Sequence, residues 1–369
     1  MKLILSYDAS HITSNYLEQA LDKSSKNTSF SISTAQYFSQ DRINKIFTAA
    51  QKSGSLSADF NGAQLDSNEL ENAVKSAGSK VRVSVNTAQS TPVNTLLSAL
   101  ESAGNTKVFS AEFNGAQLTE DNLERAISNT GSKSKIKLNT AQALSLNHLK
   151  KVLSTAGASK FLSLEFNGAQ LDPQEVKEAI KEAGENTSFS INTAQSLSKQ
   201  ALLDLLKTAA NIKTLSADFN GAQLTPNLFA EALKAAGSKT ALSINTAQSI
   251  SKSNLLNFAS LAGTEKILTM EFNGSQINAA DVIEVIKKSG TKTSTSINTA
   301  QNLNLDDLID IIKAAGTSKN LTLAFDGSRL TENNLQRAVS AAGSRTTIIV
   351  TNAYRTPINV ILDIVKTAD

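Results

Sequence analysis

The sequence predicts an α/β fold: a right-handed β-α solenoid bent into a horseshoe, with a parallel sheet on the concave side and helices on the convex side. Three observations predict it. The motif "FNGAQL" begins at Phe60, Phe113, Phe166 and Phe219, loosens to "FNGSQI" at Phe272 and "FDGSRL" at Phe325, and has a seventh copy, "YDASHI", at Tyr7. A second motif, "NTAQ", starts at Asn86, Asn139, Asn192, Asn245 and Asn298, with "STAQ" at Ser33 and "TNAY" at Thr351 as outer relatives. Both recur every 53 residues, and seven such periods account for essentially all 369 residues. Each period divides into an A unit and a B unit of strand, motif and helix, so fourteen units are expected in a single domain, residues 1–369. A unit of this size cannot bury its own apolar face and must stack on its neighbours.

The strands come first in each unit, and alternation of period two defines them. In the first full A strand Leu56, Ala58 and Phe60 point one way, and Ser57, Asp59 and Asn61 the other. In the B strand that follows, Val83 and Val85 point inward, while Arg82, Ser84 and Asn86 point out. The motifs come next. Their Asn-Gly pair suits a tight turn in which glycine takes a positive φ. The helices follow, with apolar stripes such as Leu70, Ala73, Val74 and Ala77, or Leu202, Leu203, Leu206 and Ala209. Their starts carry the capping pattern Asp66 to Glu69, and Asp172-Pro173 with Glu175. The prolines at 92, 173, 226 and 357 are all expected at first helical positions, and Gly78, Gly104, Gly184, Gly237 and Gly263 at left-handed helix ends.

This pattern resembles the leucine-rich repeat superfamily, and within it the ribonuclease-inhibitor-like branch, which alternates two repeat types with full helices. "ADFNGAQL" is similar to the family's Leu-x-Leu-x-x-Asn-x-Leu core, with Ala58, Phe60 and Leu65 at leucine places, and "NLFAEAL" is similar to its helix. The family's buried Asn falls on Ala63 and Ala88, so the loop's backbone groups need other partners. Gln64, Gln89 and the Asn column are the candidates. The resemblance implies protein binding by the concave face.

The outward strand positions form columns on that face. One is Ser/Thr: Ser57, Ser110, Ser163, Ser216, Thr269 and Thr322. One is acidic: Asp59, Glu112, Glu165, Asp218 and Glu271, with Ser31, Ser84, Lys137, Ser190, Ser243 and Ser296 at the same place in the B strands. The third is a run of asparagines: Asn61, Asn86, Asn114, Asn139, Asn167, Asn192, Asn220, Asn245, Asn273 and Asn298. The Asn column reads as a structural ladder, the acidic column as a partner-binding site. On a flat sheet, acids on alternate strands lie about 9.6 Å apart and repel by about 0.4 kcal/mol in water, a tolerable cost. Lys137 lies where it relieves Glu112 and Glu165.

Composition narrows the function further. A net charge of +3 does not favour nucleic acid. The absence of cysteine removes disulfides, thiol catalysis and Cys-based zinc sites. His11 and His148 are the only histidines and are expected to face solvent. No phosphate loop or calcium repeat is present, so no cofactor, metal site or catalytic residue is expected, and the chain is read as non-enzymatic. No apolar run is long enough for a membrane helix, and "MKLILSYDASH" is too short and polar for a signal peptide. The expected protein is cytoplasmic, or exported into a host without a cleaved signal. Lys- and Asn-rich composition fits an AT-rich genome, and a bacterial effector is one context that fits. The function expected is a protein-binding scaffold whose acids engage a basic segment; the alternative is a structural or self-assembling protein without a separate ligand. With no capping domain before "LILSY", and with Ile349, Ile358 and Val360 where other repeats are polar or small, the terminal units are expected to meet another chain in a homo-oligomer.

Overall fold

The computed structural model describes residues 1–52, 54–65, 68–210 and 212–368. Asp66, and with it the capping pattern to Glu69, lies outside them. The strands are β1 (Lys2–Asp8), β2 (Thr28–Ser33), β3 (Ser55–Asn61), β4 (Val81–Asn86), β5 (Val108–Asn114), β6 (Lys135–Asn139) and β7 (Phe161–Asn167), then β8 (Thr187–Asn192), β9 (Thr214–Asn220), β10 (Thr240–Asn245), β11 (Ile267–Asn273), β12 (Thr293–Asn298), β13 (Asn320–Asp326) and β14 (Thr346–Thr351). A helix follows each strand, and the expected alternation holds. In β3 Leu56, Ala58 and Phe60 are buried against the helices, and the residues between them are on the opposite, partly open face.

The sheet does not end in two free edges. Lys2, Leu3, Ile4 and Leu5 of β1 lie opposite Thr347, Ile348, Ile349 and Val350 of β14, and the order of strands closes into a fourteen-stranded parallel barrel. The open horseshoe is thereby corrected, and so is the leucine-rich repeat resemblance, which rested on it. Strand register supplies the physical reason. From an A strand to the next B strand the motifs align: Asn61 faces Asn86, Asn114 faces Asn139, and Asn220 faces Asn245. From B to the next A the pairing slips by two residues. Ser84 faces Ser110 rather than Glu112, Lys137 faces Ser163, and Ser243 faces Thr269. The same slip joins β14 to β1. A stagger accumulating in one direction tilts strands against the sheet axis, and tilt with stagger is what closure requires. The edge assigned to another chain from the sequence is occupied by the chain's own first strand.

The chain forms two compact units, residues 6–190 in one and residues 1–5 with 191–369 in the other. In the first, the core runs through Phe60, Phe109, Phe113 and Phe166; in the second, Phe219, Phe229 and Phe258 pack ring against ring, with centroids 5.0 and 4.8 Å apart. Helix stripes bury as expected at Leu70, Ala73, Val74 and Ala77, but Leu205 takes the buried place expected for Leu203. Pro173 and Pro226 open their helices, whereas Pro92 and Pro357 stand one residue ahead.

Glycine takes the expected positive φ at some helix ends but not in the A motif. The left-handed residue of the B motif is Thr87, with φ 50°, and its counterparts, of which Asn352 is the last. Gly62 instead admits the Asn86 and Thr87 carbonyls, to which an added Cβ would approach within 2.9 and 2.7 Å. At helix ends, Gly104, Gly157, Gly263 and Gly316 take positive φ, but Gly184 is needed because a Cβ there would lie 1.8 Å from the Gly157 carbonyl oxygen.

Candidate functional site

The site is described within residues 6–190. The partly open strand face carries the columns read from the sequence, but the slip in register tilts them. Each acid sits two residues further along the strands than the one before. Combined with two strand spacings, this separates successive acids by about 11–12 Å rather than about 9.6 Å. Asp59 therefore shares its level with Ser84, Ser110, Lys135 and Phe161. Asp59, Glu112 and Glu165 lie in this unit, and Asp218 and Glu271 in the other.

Each acid has local partners. Ser84 donates to Asp59, and Ser57 lies 3.4 Å from the same oxygen. Asn139 donates to Glu112. Lys137 Nζ sits 3.5 Å from Glu112 Oε2 and 3.3 Å from Glu165 Oε2, bridging them. In the other unit Ser243 donates to Asp218. Burial, and then the Asp218 carboxylate, raises the Glu271 carboxyl above its ordinary range.

The asparagines behave differently in the two strand types. In A strands the Asn side chain closes its own turn: Asn61 Oδ1 accepts from the Ala63 N–H at 3.1 Å and from the Thr87 hydroxyl at 2.9 Å. The pattern recurs at Asn114, Asn220 and Asn273. Asn167 Oδ1 likewise accepts from Ala169 N–H. In B strands Asn86 and Asn245 pair across the sheet with Asn61 and Asn220, and Asn298 with Asn273; Asn192 stands at the corresponding end of β8.

Two residues that sequence reasoning did not single out as a site break the repeat on this face. Along the outer position of the B strands the residues run Ser29, Arg82, Lys135, Ser188, Ala241, Ser294 and Thr347. Arg82 and Lys135 alone are charged, two strands apart. Neither makes an ion pair or a side-chain hydrogen bond among the described residues. Burial, then Lys137, then Arg82 holds the Lys135 ammonium below its ordinary range. The signal is legible in the sequence: Arg82 faces outward, and Arg82 and Lys135 differ from the small, uncharged residues at their position in the other repeats.

Two cavities meet at Lys135. One, of about 420 Å³, is bordered by Asp59, Ser84, Ser110, Glu112, Lys135 and Lys137. The other, of about 460 Å³, is bordered by Arg82, Val108, Ser110, Lys133, Lys135 and Phe161. Both are of the size that takes small molecules. Buried Ser134 Oγ also borders the second cavity and lacks a partner, but Thr28 and Thr293 hydroxyls at the same repeat position lack one too, so it marks no ligand. No group of His, Cys, Asp and Glu that could hold a metal occurs among the described residues.

The histidines divide. His11 is exposed in a single turn, its Nδ1 2.8 Å from Ser10 Oγ. His148, expected in solvent, is buried at 4% exposure, with Nε2 3.8 Å from Glu124 Oε1. It lies on a helix outside the strand face, where Lys151 also holds Glu124 at 2.8 Å.

No protein-family model and no curated protein matches the chain. Among solved structures it is similar to an HpcH/HpaI aldolase from Desulfitobacterium hafniense, at 8% identity, covering 53% of this chain and 87% of that one with a TM-score of 0.29. It is also similar to dihydrodipicolinate synthase from Bacillus clausii, at 8% identity, 56% and 72% coverage and a TM-score of 0.28. A third is KGPDC from Streptococcus mutans, at 12% identity, 52% and 87% coverage and a TM-score of 0.29. Similarity this slight carries no activity over to this chain.

The expectation of a non-enzymatic protein-binding scaffold, or of a purely structural protein, is corrected. It depended on an open concave sheet and on the family that goes with it, and β1 closes that sheet against β14. The reading as an effector that docks a host protein on such a face falls with it. Among the described residues, no helix is long and apolar enough to cross a membrane.

Proposed function

We propose that the strand face of residues 6–190 binds a small anionic molecule, held by Arg82 and Lys135. One observation carries the reading: these two cations stand unpaired on alternate strands of one face, Arg82 level with Val108 and Lys135 level with Ser110, at a position that is small and uncharged in the other B strands. Burial first, then Lys137 and then Arg82 lower the Lys135 ammonium, and like charges on a partly buried face with no opposite charge between them are an unfavourable arrangement. A carboxylate or phosphate between them relieves it. Arg supplies a planar fork that grips two oxygens, and Lys a point charge. Asp59 and Glu112 border the adjoining cavity and are placed to accept from hydroxyl or amino groups of the same molecule.

The test is calorimetric titration with inorganic phosphate and with small carboxylic acids at low salt. Binding is expected, and the double substitution Arg82→Ser with Lys135→Ser, which restores the residue of the other repeats, is expected to weaken it at least tenfold. Undiminished binding by that variant would overturn the site.

A further inference from the structure

We propose that the anion taken by this site carries a flat aromatic ring, as a nucleoside monophosphate does. The inference rests on the anion reading above and adds the chemistry of the rest of the ligand. Phe161 opens β7 directly opposite Lys135 in the sheet register, and it is 40% exposed. Phe161 borders the cavity of about 460 Å³ together with Arg82, Lys133 and Lys135. The other A strands place Lys2, Ser55, Val108, Thr214, Ile267 and Asn320 at this position, so the repeat does not call for a ring there.

Packing does not account for Phe161 either. The side chains that fill the core of β7 are Leu162, Leu164 and Phe166, on the opposite face. An exposed ring that is absent from the sister strands and stands beside unpaired cations offers two things at once. Its face can stack on a planar ring, and Val108, opposite Arg82, extends the apolar floor. Arg82 and Lys135 then meet the charged end of the same molecule. Lys133, whose Nζ lies 3.4 Å from the Thr106 carbonyl oxygen, adds a third positive group at the rim. A ligand with an anion at one end and a ring at the other satisfies both features of the cavity, whereas a bare anion uses only one.

The experiment compares adenosine 5′-monophosphate, ribose 5-phosphate and inorganic phosphate by calorimetry on the full chain. The nucleotide is expected to bind at least tenfold more tightly than ribose 5-phosphate. Phe161→Thr, the residue type of β9, is expected to bring the nucleotide down to the affinity of ribose 5-phosphate and leave that affinity unchanged; Phe161→Leu, which keeps apolar bulk without a ring, is expected to recover little. Circular dichroism of the variants reports their folding. Equal affinity for nucleotide and sugar phosphate, both lost in the Arg82→Ser/Lys135→Ser variant, would overturn the ring and leave the anion site standing. If neither these three compounds nor small carboxylates bind, the anion site itself is overturned.

Discussion

Glu271 shows how a residue's place on the face sets its chemistry. It stands in the acidic column with Asp218 two strands away, half-buried and, among the described residues, without a serine donor of the kind that serves Asp218. Burial and the neighbouring charge raise its carboxyl, so the folded chain holds that proton more tightly than the unfolded chain does. A carboxyl shifted in this direction favours the folded state most below its unfolded value, and the advantage is lost as pH rises through the folded value. Glu271→Gln is therefore expected to raise the melting temperature relative to wild type at pH 8 and to leave it unchanged at pH 4. Equal shifts at the two pH values would contradict the assigned cause. The residue identities along this column are readable from the repeat, but the burial and neighbouring charge that raise the Glu271 carboxyl are not, because acids at the same motif position look alike in one dimension.

At the scale of elements, the junction between a B unit and the next A unit depends on glutamine. The two-residue slip leaves the end of each A strand projecting past the B-strand ladder, with its last N–H unpaired by backbone. In the A strands from β3 to β13 the glutamine of the preceding B motif takes it. Gln89 Oε1 accepts from Asn114 N–H at 3.1 Å, and its Nε2 donates to Gln117 Oε1 at 3.0 Å. The same arrangement recurs from Gln36 to Asn61 and from Gln248 to Asn273. Of the two glutamines the sequence offers as partners for loop backbone groups, Gln89 takes the Asn114 N–H, while Gln64 accepts from the Gln36 side chain. Gln89→Ala is expected to orphan the Asn114 amide and cost about 1–3 kcal/mol in urea unfolding. Gln89→Glu keeps the acceptor and loses the donor, and is expected to cost less. Equal costs would mean that the acceptor is not the important half.

At the scale of the whole molecule, closure turns on the meeting of the first and last strands. Ile4 and Ile349 stand opposite each other at face positions where the interior repeats carry Ser or Thr, apart from Lys137 among the B strands. Cross-strand apolar pairs of this kind stabilise by up to about 1 kcal/mol. The double substitution Ile4→Ser with Ile349→Ser is expected to lower stability by about 1–2 kcal/mol and to speed amide exchange in β1 and β14 while β10 and β11 keep their protection. Unchanged exchange at those two strands would speak for an open sheet. The sequence holds half of this signal: Ile349 stands out as an apolar replacement, but nothing local marks Ile4 as its partner.

The sequence by itself determined the unit: its strand, turn and helix, the face each strand buries, and the number of units. These follow from periodicities of two and 3.6 residues and from a 53-residue repeat, all of which are local or translational. Only the tertiary structure decided whether the stack ends or closes, because that depends on a register slip between neighbouring strands, and a slip leaves every inward side chain inward when it is an even number of residues. The same slip decided the site. It set Lys135 level with Asp59 and Phe161 and tilted the acids out of a single row, so that a small cavity took the place of the open face the repeats had suggested.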